Sequence, residues 1–233
     1  EQLYTEKKVE ECDIFDLVDT LPVLSVKEAD ELEGDITLKE ASYVLKNMCN
    51  GKSPGSDGFP AEFFKVFWQQ LGIFVVRSLN DGFRRGELSN TQKEGIIICI
   101  PKPDRSRDHL KNWRPISLLN VVYKIGSACI ANRIKTVLPS LINEDQTGFI
   151  RNRFIGDNVR LIYDVIQTLS TLNEPGLLIC CDFEKAFDSL DWSFLHKTLQ
   201  AFGFGQGVCQ WVHTFYCNIK SAVSVNGSVS NWF

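Results

Sequence analysis

The feature that most constrains the fold is an apolar run that ends in a carboxylate. Residues 177–181 read LLICC, follow Pro175 and Gly176, and lead directly into Asp182. A short apolar run after turn residues predicts a buried strand, and the unbroken run suits a strand covered on both faces. We therefore predict an α+β fold in which helices pack on a small antiparallel sheet with 177–182 as a central strand.

The position of Asp182 raises a chemical question. An unpaired carboxylate at the end of a buried strand is costly, so Asp182 should have a partner. A neighbouring Arg or Lys would make this residue structural, whereas a divalent metal ion would make it catalytic. The residue types alone leave both possibilities open. Of the two carboxylates that follow, Asp188 is expected to make a turn contact and Asp191 to cap a helix.

Local signals predict the helices. Thr37 and Glu40 have the spacing of a capping box. Pro60 is expected at the first position of one broken or two consecutive helices, whose closely spaced aromatic residues are predicted to lie in the core. Those aromatic residues are Phe63, Phe67 and Trp68, and further helices are predicted at about 120–138, 156–172, 192–202 and 207–217.

Two hairpins are predicted from turn chemistry. EGIIICIPKP and WRPISLL indicate two strands, and the polar DRSRDHLKN between them indicates a loop. SAVSVNGSVSNWF contains Asn226-Gly227 between alternating residues, which is a strong short-range hairpin signal.

The charge is unevenly distributed along the chain. Residues 1–50 carry a net charge of −8, and residues 93–160 carry a net charge of +6. A basic central block indicates an anionic partner, of which nucleic acid is the commonest, although a solvated mixed-charge surface would account for it equally well. The acidic residues 1–35 are predicted to form a loosely structured lead-in.

Composition excludes several protein classes. The longest apolar runs fall short of the roughly 18 residues of a membrane span, and the acidic N-terminus is unlike a signal peptide. Eight cysteines without a C-x-x-C pair predict reduced, buried thiols in an intracellular protein, nuclear or cytoplasmic. Gly51-Lys52-Ser53 lacks the upstream glycine of a phosphate-binding loop, since position 46 is Lys.

One combination of residues indicates a chemistry. Asp182 ends an apolar run, the aromatic Phe187 follows five residues later, and Lys102 and Arg114 flank a basic loop upstream. Phosphoryl transfer from nucleoside triphosphates needs carboxylates for divalent metals and cations for the triphosphate.

Four blocks in this order resemble the reverse transcriptase domain of non-LTR (LINE-type) retrotransposons, from about residue 36 to the end. They are GKSPGSDGFPAEFFK, IPKPDRSRDHLKNWRPISLLN, KIGSACIANRIKTVLPSLINEDQTGFIRNRFIGDN and LLICCDFEKAFDSLDW. The resemblance implies a right-hand polymerase fold, with a fingers-like region at 36–175, the first part of the palm at 176–233, and no thumb. It implies an RNA-directed DNA polymerase that uses an RNA template, a DNA primer and deoxynucleoside triphosphates.

The same resemblance implies roles for individual residues. Asp182 and the backbone carbonyl of Phe183 would bind metal, with two Mg²⁺ ions in the complete enzyme, and Phe187 would lie under the sugar of the nucleotide. The nucleotide would also be contacted by Lys102, Arg114 and Gln146, and nucleic acid by Arg105, Arg107, Lys111, Arg151 and Arg153.

The chain departs from the family after Asp191, beyond which it contains no Asp or Glu. The family's second catalytic motif, an aromatic-x-Asp-Asp turn, is therefore expected to be missing, and the chain is expected to be C-terminally truncated and inactive alone. The alternative function is a non-catalytic nucleic-acid-binding remnant. The sequence leaves the oligomeric state, target-site preference, expression and any accompanying endonuclease open.

Overall fold

A computed structural model describes residues 21–183 and 186–233 of the chain. Its helices and strands occur in separate runs along the chain, which confirms an α+β protein. In chain order the elements are α1 (Val26–Glu31), α2 (Leu38–Asn47), α3 (Ala61–Val66), α4 (Trp68–Arg85), β1 (Glu94–Pro101), a 3₁₀ turn (Leu110–Asn112), β2 (Trp113–Leu119), α5 (Val121–Leu141), α6 (Ile155–Leu172), α7 (Trp192–Ala201), α8 (Gln206–Tyr216), β3 (Lys220–Val225) and β4 (Ser228–Val229).

The sheet has four strands in the order β2-β1-β3-β4. β1 and β2 form the predicted antiparallel hairpin, with Gly95 opposite Leu119 and Pro101 opposite Trp113. The prediction of a purely antiparallel sheet was wrong, because β1 and β3 run parallel. A parallel pair needs a long crossover, and the intervening helices supply it. β3 returns into β4 through Asn226-Gly227, whose positive φ angles of 50° and 83° suit a primed two-residue turn.

The described residues cluster into two compact units, which we call the core unit and the second unit. The core unit consists of Leu32–Asn132 and Gly205–Phe233, and the second unit consists of the residues up to Glu31 with Arg133–Phe204.

Aromatic packing fills the interior of the core unit. The Trp211 side chain is fully buried and stacks on Phe83, with ring centroids 4.4 Å apart. Its indole N–H donates to the Gly34 carbonyl at 3.2 Å, which satisfies the one polar atom of the ring. Phe215 continues the stack, and its ring meets Tyr123 edge-on at 5.3 Å. Four elements therefore share one core: the residues before α2, then α4, α5 and α8.

The predicted central strand at 177–182 was wrong. Residues 174–183 are not part of a strand or helix, and the side chains at 177–183 are exposed. An apolar run forms a strand only where a neighbour supplies backbone hydrogen bonds. The two central positions of the sheet are taken by β1 and β3, which come from elsewhere in the chain.

Predictions from local signals agree well with the helices. Thr37 and Glu40 form the capping box of α2, and Asp191 caps α7. The tract after Pro60 forms two consecutive helices, but Pro60 is the N-cap residue and not the first helical position. In this tract Phe64 is buried, whereas Phe67, predicted in the core, is exposed. Helical periodicity alone did not predict which aromatic residues are buried. The helix α3 is only six residues long, and Phe67 is its C-cap residue.

Two other features of the described chain bear on the predictions. Residues 21–35 of the predicted lead-in contain α1, and Leu24 and Leu32 are buried, so this part of the lead-in is packed. Seven cysteines in the described residues form no disulfide, and of these Cys129 and Cys209 are buried. Four others are exposed, contrary to the prediction of buried thiols, and among them Cys180 and Cys181 lie in the segment without strand partners.

Among the described residues, none of the helices is both long and apolar enough to cross a membrane.

Candidate nucleic-acid interface

The loop of the first hairpin, residues 102–112 of the core unit, is folded by its own hydrogen bonds. The Lys102 N–H donates to the Asn112 carbonyl at 2.8 Å, which extends the β1–β2 pairing beyond Pro101. The Asn112 side-chain amide donates to the Ser106 carbonyl at 2.8 Å, and the Trp113 indole donates to the Arg107 carbonyl at 3.0 Å. The loop therefore has a defined backbone on which its charged side chains are displayed.

This hairpin brings five predicted cations together. Four of them are exposed to solvent, whereas Lys102 is half-buried at the end of β1. The loop carries two carboxylates, and one of these, Asp108, accepts a hydrogen bond from the Ser106 hydroxyl. Exposed cations in excess over carboxylates can neutralise phosphates without a large desolvation cost. The five are Lys102, Arg105, Arg107, Lys111 and Arg114.

The block NGKSPGSDG, near the start of β1, is held by a residue that the sequence analysis missed. Asn120 is buried, and its Oδ1 accepts from the Asp57 N–H at 3.2 Å. Its Nδ2 donates to the Thr91 carbonyl at 2.5 Å and to the Ser56 hydroxyl at 3.3 Å. A Cβ on Gly55 would lie 2.0 Å from Asn120 Oδ1, so this glycine is required by close approach. An Asn directly before an apolar helix predicts only a local cap, so the sequence carried no signal of these bonds to Ser56, Asp57 and Thr91.

In the second unit, the connection between α5 and α6, residues 142–154, is braced by Arg153. Its guanidinium donates to four backbone carbonyls: Pro139 at 3.0 Å, Ile142 at 2.7 Å, Gln146 at 2.8 Å, and Asn143. The carbonyls at the C-terminal end of a helix lack intrahelical partners and attract a cation. These contacts give Arg153 a structural role. The sequence analysis predicted a nucleic-acid contact for this residue and did not identify the structural role.

The other predicted residues of this connection are more accessible. The Gln146 side chain donates to the Gly148 carbonyl at 3.2 Å, within its own turn. Arg151 is exposed and lines a polar groove of about 590 Å³. Thr147 lines the same groove, and its buried hydroxyl has no hydrogen-bond partner among the described residues.

The second unit also contains the predicted metal and sugar-contacting residues. Asp182 and Phe183 are exposed in the segment without regular structure. Phe187 lies in the turn at 186–189, and its exposed ring meets the ring of Phe149 edge-on, with centroids 6.4 Å apart and planes at 86°. The structure therefore brings together two aromatic residues, of which the sequence analysis named only Phe187.

The two carboxylates after Phe187, Asp188 and Asp191, lie in different structural environments. Asp191 accepts from the Ser193 hydroxyl and from the Phe194 N–H at 2.7 Å, which confirms it as a helix cap. These two hydrogen bonds, the one from Ser193 first, hold the pKa of Asp191 below its usual value. Asp188 is exposed in the turn at 186–189.

The described residues do not assemble the two-metal site that the resemblance implies. Within residues 21–183 and 186–233, no group of three His, Cys, Asp or Glu side chains is placed to hold a metal ion. Asp182 supplies one hard oxygen donor group, whereas Mg²⁺ requires a nearly complete octahedron of oxygens.

Comparison with known proteins gives a consistent result. The family described as "Reverse transcriptase (RNA-dependent DNA polymerase)" matches residues 100–232. The "Transposon TX1 uncharacterized 149 kDa protein" of Xenopus laevis is 39% identical over 215 residues, which are 92% of this chain and 16% of that protein. The "Probable RNA-directed DNA polymerase from transposon X-element" of Drosophila melanogaster is 27% identical, over 71% of this chain and 19% of that protein. The "RNA-directed DNA polymerase from mobile element jockey" of Drosophila funebris is 24% identical, over 84% of this chain and 22% of that protein. The chain therefore spans less than a quarter of the length of each of these relatives.

Proposed function

The chain belongs to the reverse transcriptase family, and we propose that it forms the nucleic-acid- and nucleotide-binding part of an RNA-directed DNA polymerase. Its relatives are proteins of non-LTR retrotransposons. The proposed substrates are an RNA template, a DNA primer and deoxynucleoside triphosphates. The proposed architecture is the right-hand fold, with residues 36–175 as the fingers-like region and 176–233 as part of the palm.

The observation that carries this proposal is the cationic hairpin of the core unit. Lys102 directly follows β1, Arg114 lies in β2 opposite Ile100 of β1, and these two residues are the proposed contacts to the triphosphate. Arg105, Arg107 and Lys111 lie on the loop and are the proposed contacts to the nucleic-acid backbone. Phosphate contacts position a strand without reading its sequence, so binding should have little sequence preference.

The proposed cofactor is a divalent metal, with two Mg²⁺ ions in the complete enzyme. Asp182 and the Phe183 carbonyl are the proposed ligands from this chain, and Phe187 is the proposed contact to the nucleotide sugar. The described carboxylates do not complete such a site, so we derive no chemical step through the metal.

The same observation supports a second candidate function, a nucleic-acid-binding protein without catalytic activity. The hairpin supplies cations for phosphate binding in either case, whereas only the polymerase requires a complete metal site. Both candidate functions therefore predict nucleic-acid binding, but only the polymerase predicts nucleotide transfer.

Salt-dependent binding tests the element that both candidates share. Affinity of the chain for a mixed-sequence labelled RNA should fall linearly on a logarithmic plot against salt, with a slope of about 0.7 for each phosphate contacted by a single strand. Arg105→Ala, Arg107→Ala and Lys111→Ala together should weaken binding and lower this slope. Lys39→Ala, which removes an exposed cation on α2 of the same unit, is the matched control and should change neither.

The proposal fails if the unmodified chain does not bind RNA at low salt. It also fails if affinity is independent of salt, or if the hairpin variant binds as the control does.

A further inference from the structure

Phe149 has an unusual combination of backbone conformation and exposure. Its φ angle is 65°, in the left-handed region that bulky residues rarely adopt. Its side chain is 92% exposed, so burial of the ring does not compensate for this conformation. Backbone strain at an exposed aromatic residue, where no core packing requires it, is a signal of function.

The connection around Phe149 is built to hold this conformation. On its N-terminal side, the Gln146 N–H donates to the Asn143 carbonyl at 3.1 Å, and Arg153 bonds the Gln146 carbonyl at 2.8 Å. On its C-terminal side, Asn152 also has a positive φ, of 64°, which turns the chain back so that Arg153 can reach those carbonyls. Phe149 therefore lies at the tip of a braced turn.

The ring of Phe149 is directed at a second exposed ring. It meets the 86% exposed ring of Phe187 at 6.4 Å in an edge-to-face arrangement. In such a pair, the face of one ring lies beside the edge of the other. Nucleobases stack on exposed aromatic side chains in single-stranded nucleic-acid sites, so the exposed faces of this pair can bind a base.

We propose that Phe149 is a further nucleobase-binding residue: a base stacks on the Phe149 ring, and Phe187, the proposed contact to the nucleotide sugar, packs edge-on against that ring. The inference rests on the proposed function and assigns a new residue to it. Arg153 acts as a positioning residue, because its guanidinium holds the turn that carries Phe149.

An exposed cation close to Phe149 favours a nucleotide over an apolar protein partner. Arg151, two residues from Phe149, is exposed and can contact the phosphate of a nucleotide whose base stacks on the ring. An anionic ligand with a flat aromatic part can contact both the rings and Arg151.

The test compares single strands of equal length that carry bases or have only abasic sites. Phe149→Ala should weaken binding of the base-bearing strand about 5- to 150-fold, the range that corresponds to stacking of one base. It should leave binding of the abasic strand and the salt slope unchanged, because the phosphate contacts remain. Phe149→Tyr keeps an aromatic ring and should restore affinity. Phe154→Ala, which removes another exposed ring of the same unit, is the matched control.

A second arm identifies the source of the base. The same variants are titrated with a free deoxynucleoside triphosphate. If Phe149→Ala loses affinity only for the triphosphate, the stacked base belongs to the incoming nucleotide. If it loses affinity only for the strand, the base belongs to the template or primer. Arg153→Lys should reproduce part of the Phe149→Ala defect, since Lys cannot bond four carbonyls, with thermal unfolding measured in parallel.

The results distinguish a failure of the Phe149 assignment from a failure of the proposed function. If Phe149→Ala binds both ligands as the unmodified chain does, or loses affinity equally for base-bearing and abasic strands, the assignment of Phe149 is overturned while the proposed function stands. If the unmodified chain binds neither strand, the proposed function and this inference are both overturned.

Discussion

The side-chain amide of Asn80 bonds both backbone groups of Ile36. Its Oδ1 accepts from the Ile36 N–H at 2.9 Å, and its Nδ2 donates to the Ile36 carbonyl at 2.9 Å. Both residues are buried, so the amide replaces the strand partner that Ile36 lacks. This pair joins the segment before α2 to the middle of α4, across 44 residues of sequence.

Removing this amide should be strongly destabilising. Asn80→Ala leaves two buried backbone groups without partners, and we expect the free energy of unfolding to fall by about 2–4 kcal/mol. Asn80→Asp should be at least as damaging, because it removes the donor and buries a charge. Asn47→Ala, which removes an exposed amide bonded to the Tyr43 carbonyl, should change stability by less than about 1 kcal/mol. Equal effects at the two positions, measured by urea unfolding, would contradict the assignment.

Stability should fall in alkaline solution because of Tyr123. Burial, and secondarily the nearby Tyr216, raises the pKa of Tyr123 to about 12. The folded pKa lies above the unfolded value of about 10, so the contribution is complete below pH 10 and is lost as the pH rises towards 12. The loss should be on the order of 2–3 kcal/mol.

The control for this pH dependence is Tyr123→Phe. The variant loses the hydrogen bond to the Phe215 carbonyl at 3.0 Å, and so about 1 kcal/mol at neutral pH, but its stability should vary less between pH 10 and 12. Tyr43→Phe, at an exposed position, should retain the full alkaline loss. Parallel curves for Tyr123→Phe and the unmodified chain would refute the prediction.

The effect of an alanine at Gly207 should depend on Glu33. The Glu33 carboxylate accepts from the N–H groups of Gly207 at 2.8 Å and Val208 at 3.1 Å, which caps the start of α8. A Cβ on Gly207 would lie 2.0 Å from Glu33 Oε2 and displace it. Gly207→Ala should therefore cost about 1 kcal/mol in the unmodified chain.

The same substitution in a Glu33→Ala background should stabilise the protein by about 0.5–1 kcal/mol, because the clash is gone and Ala is the better helix former. A double-mutant cycle from chemical denaturation measures this reversal. A Gly207→Ala effect that is the same in both backgrounds would show that Glu33 and Gly207 are not coupled.

Nucleotide transfer should distinguish the two candidate functions. The 233-residue chain is expected to give no primer extension with Mg²⁺ and deoxynucleotides, because Asp182 is its one proposed carboxylate ligand and a two-metal site needs several hard oxygen donors. A chimera in which this chain replaces the matched segment of the Drosophila funebris jockey RNA-directed DNA polymerase should extend a primer. Asp182→Asn should then abolish extension, whereas the matched Asp188→Asn should retain it. Extension by the unmodified chain, or an active chimera that tolerates Asp182→Asn, would contradict the prediction.

The sequence by itself determined the features that depend on near neighbours. The capping box of Thr37 and Glu40, the cap at Asp191, and the turn at Asn226-Gly227 each form within a few residues, so local chemistry is sufficient. The cationic hairpin belongs to the same class, because a short loop joins its two strands. The resemblance to reverse transcriptases was also correct from the sequence, since ordered blocks do not depend on packing.

Only the tertiary structure decided which distant segments meet. The apolar run 177–181 resembles a buried strand, but hydrogen bonds to a partner make a strand, and β1 and β3 occupy the centre of the sheet. The pairing of Asn80 with Ile36, and of Phe149 with Phe187, joins residues about 40 positions apart. Such contacts depend on how whole elements pack, and no local pattern of residue types encodes that arrangement.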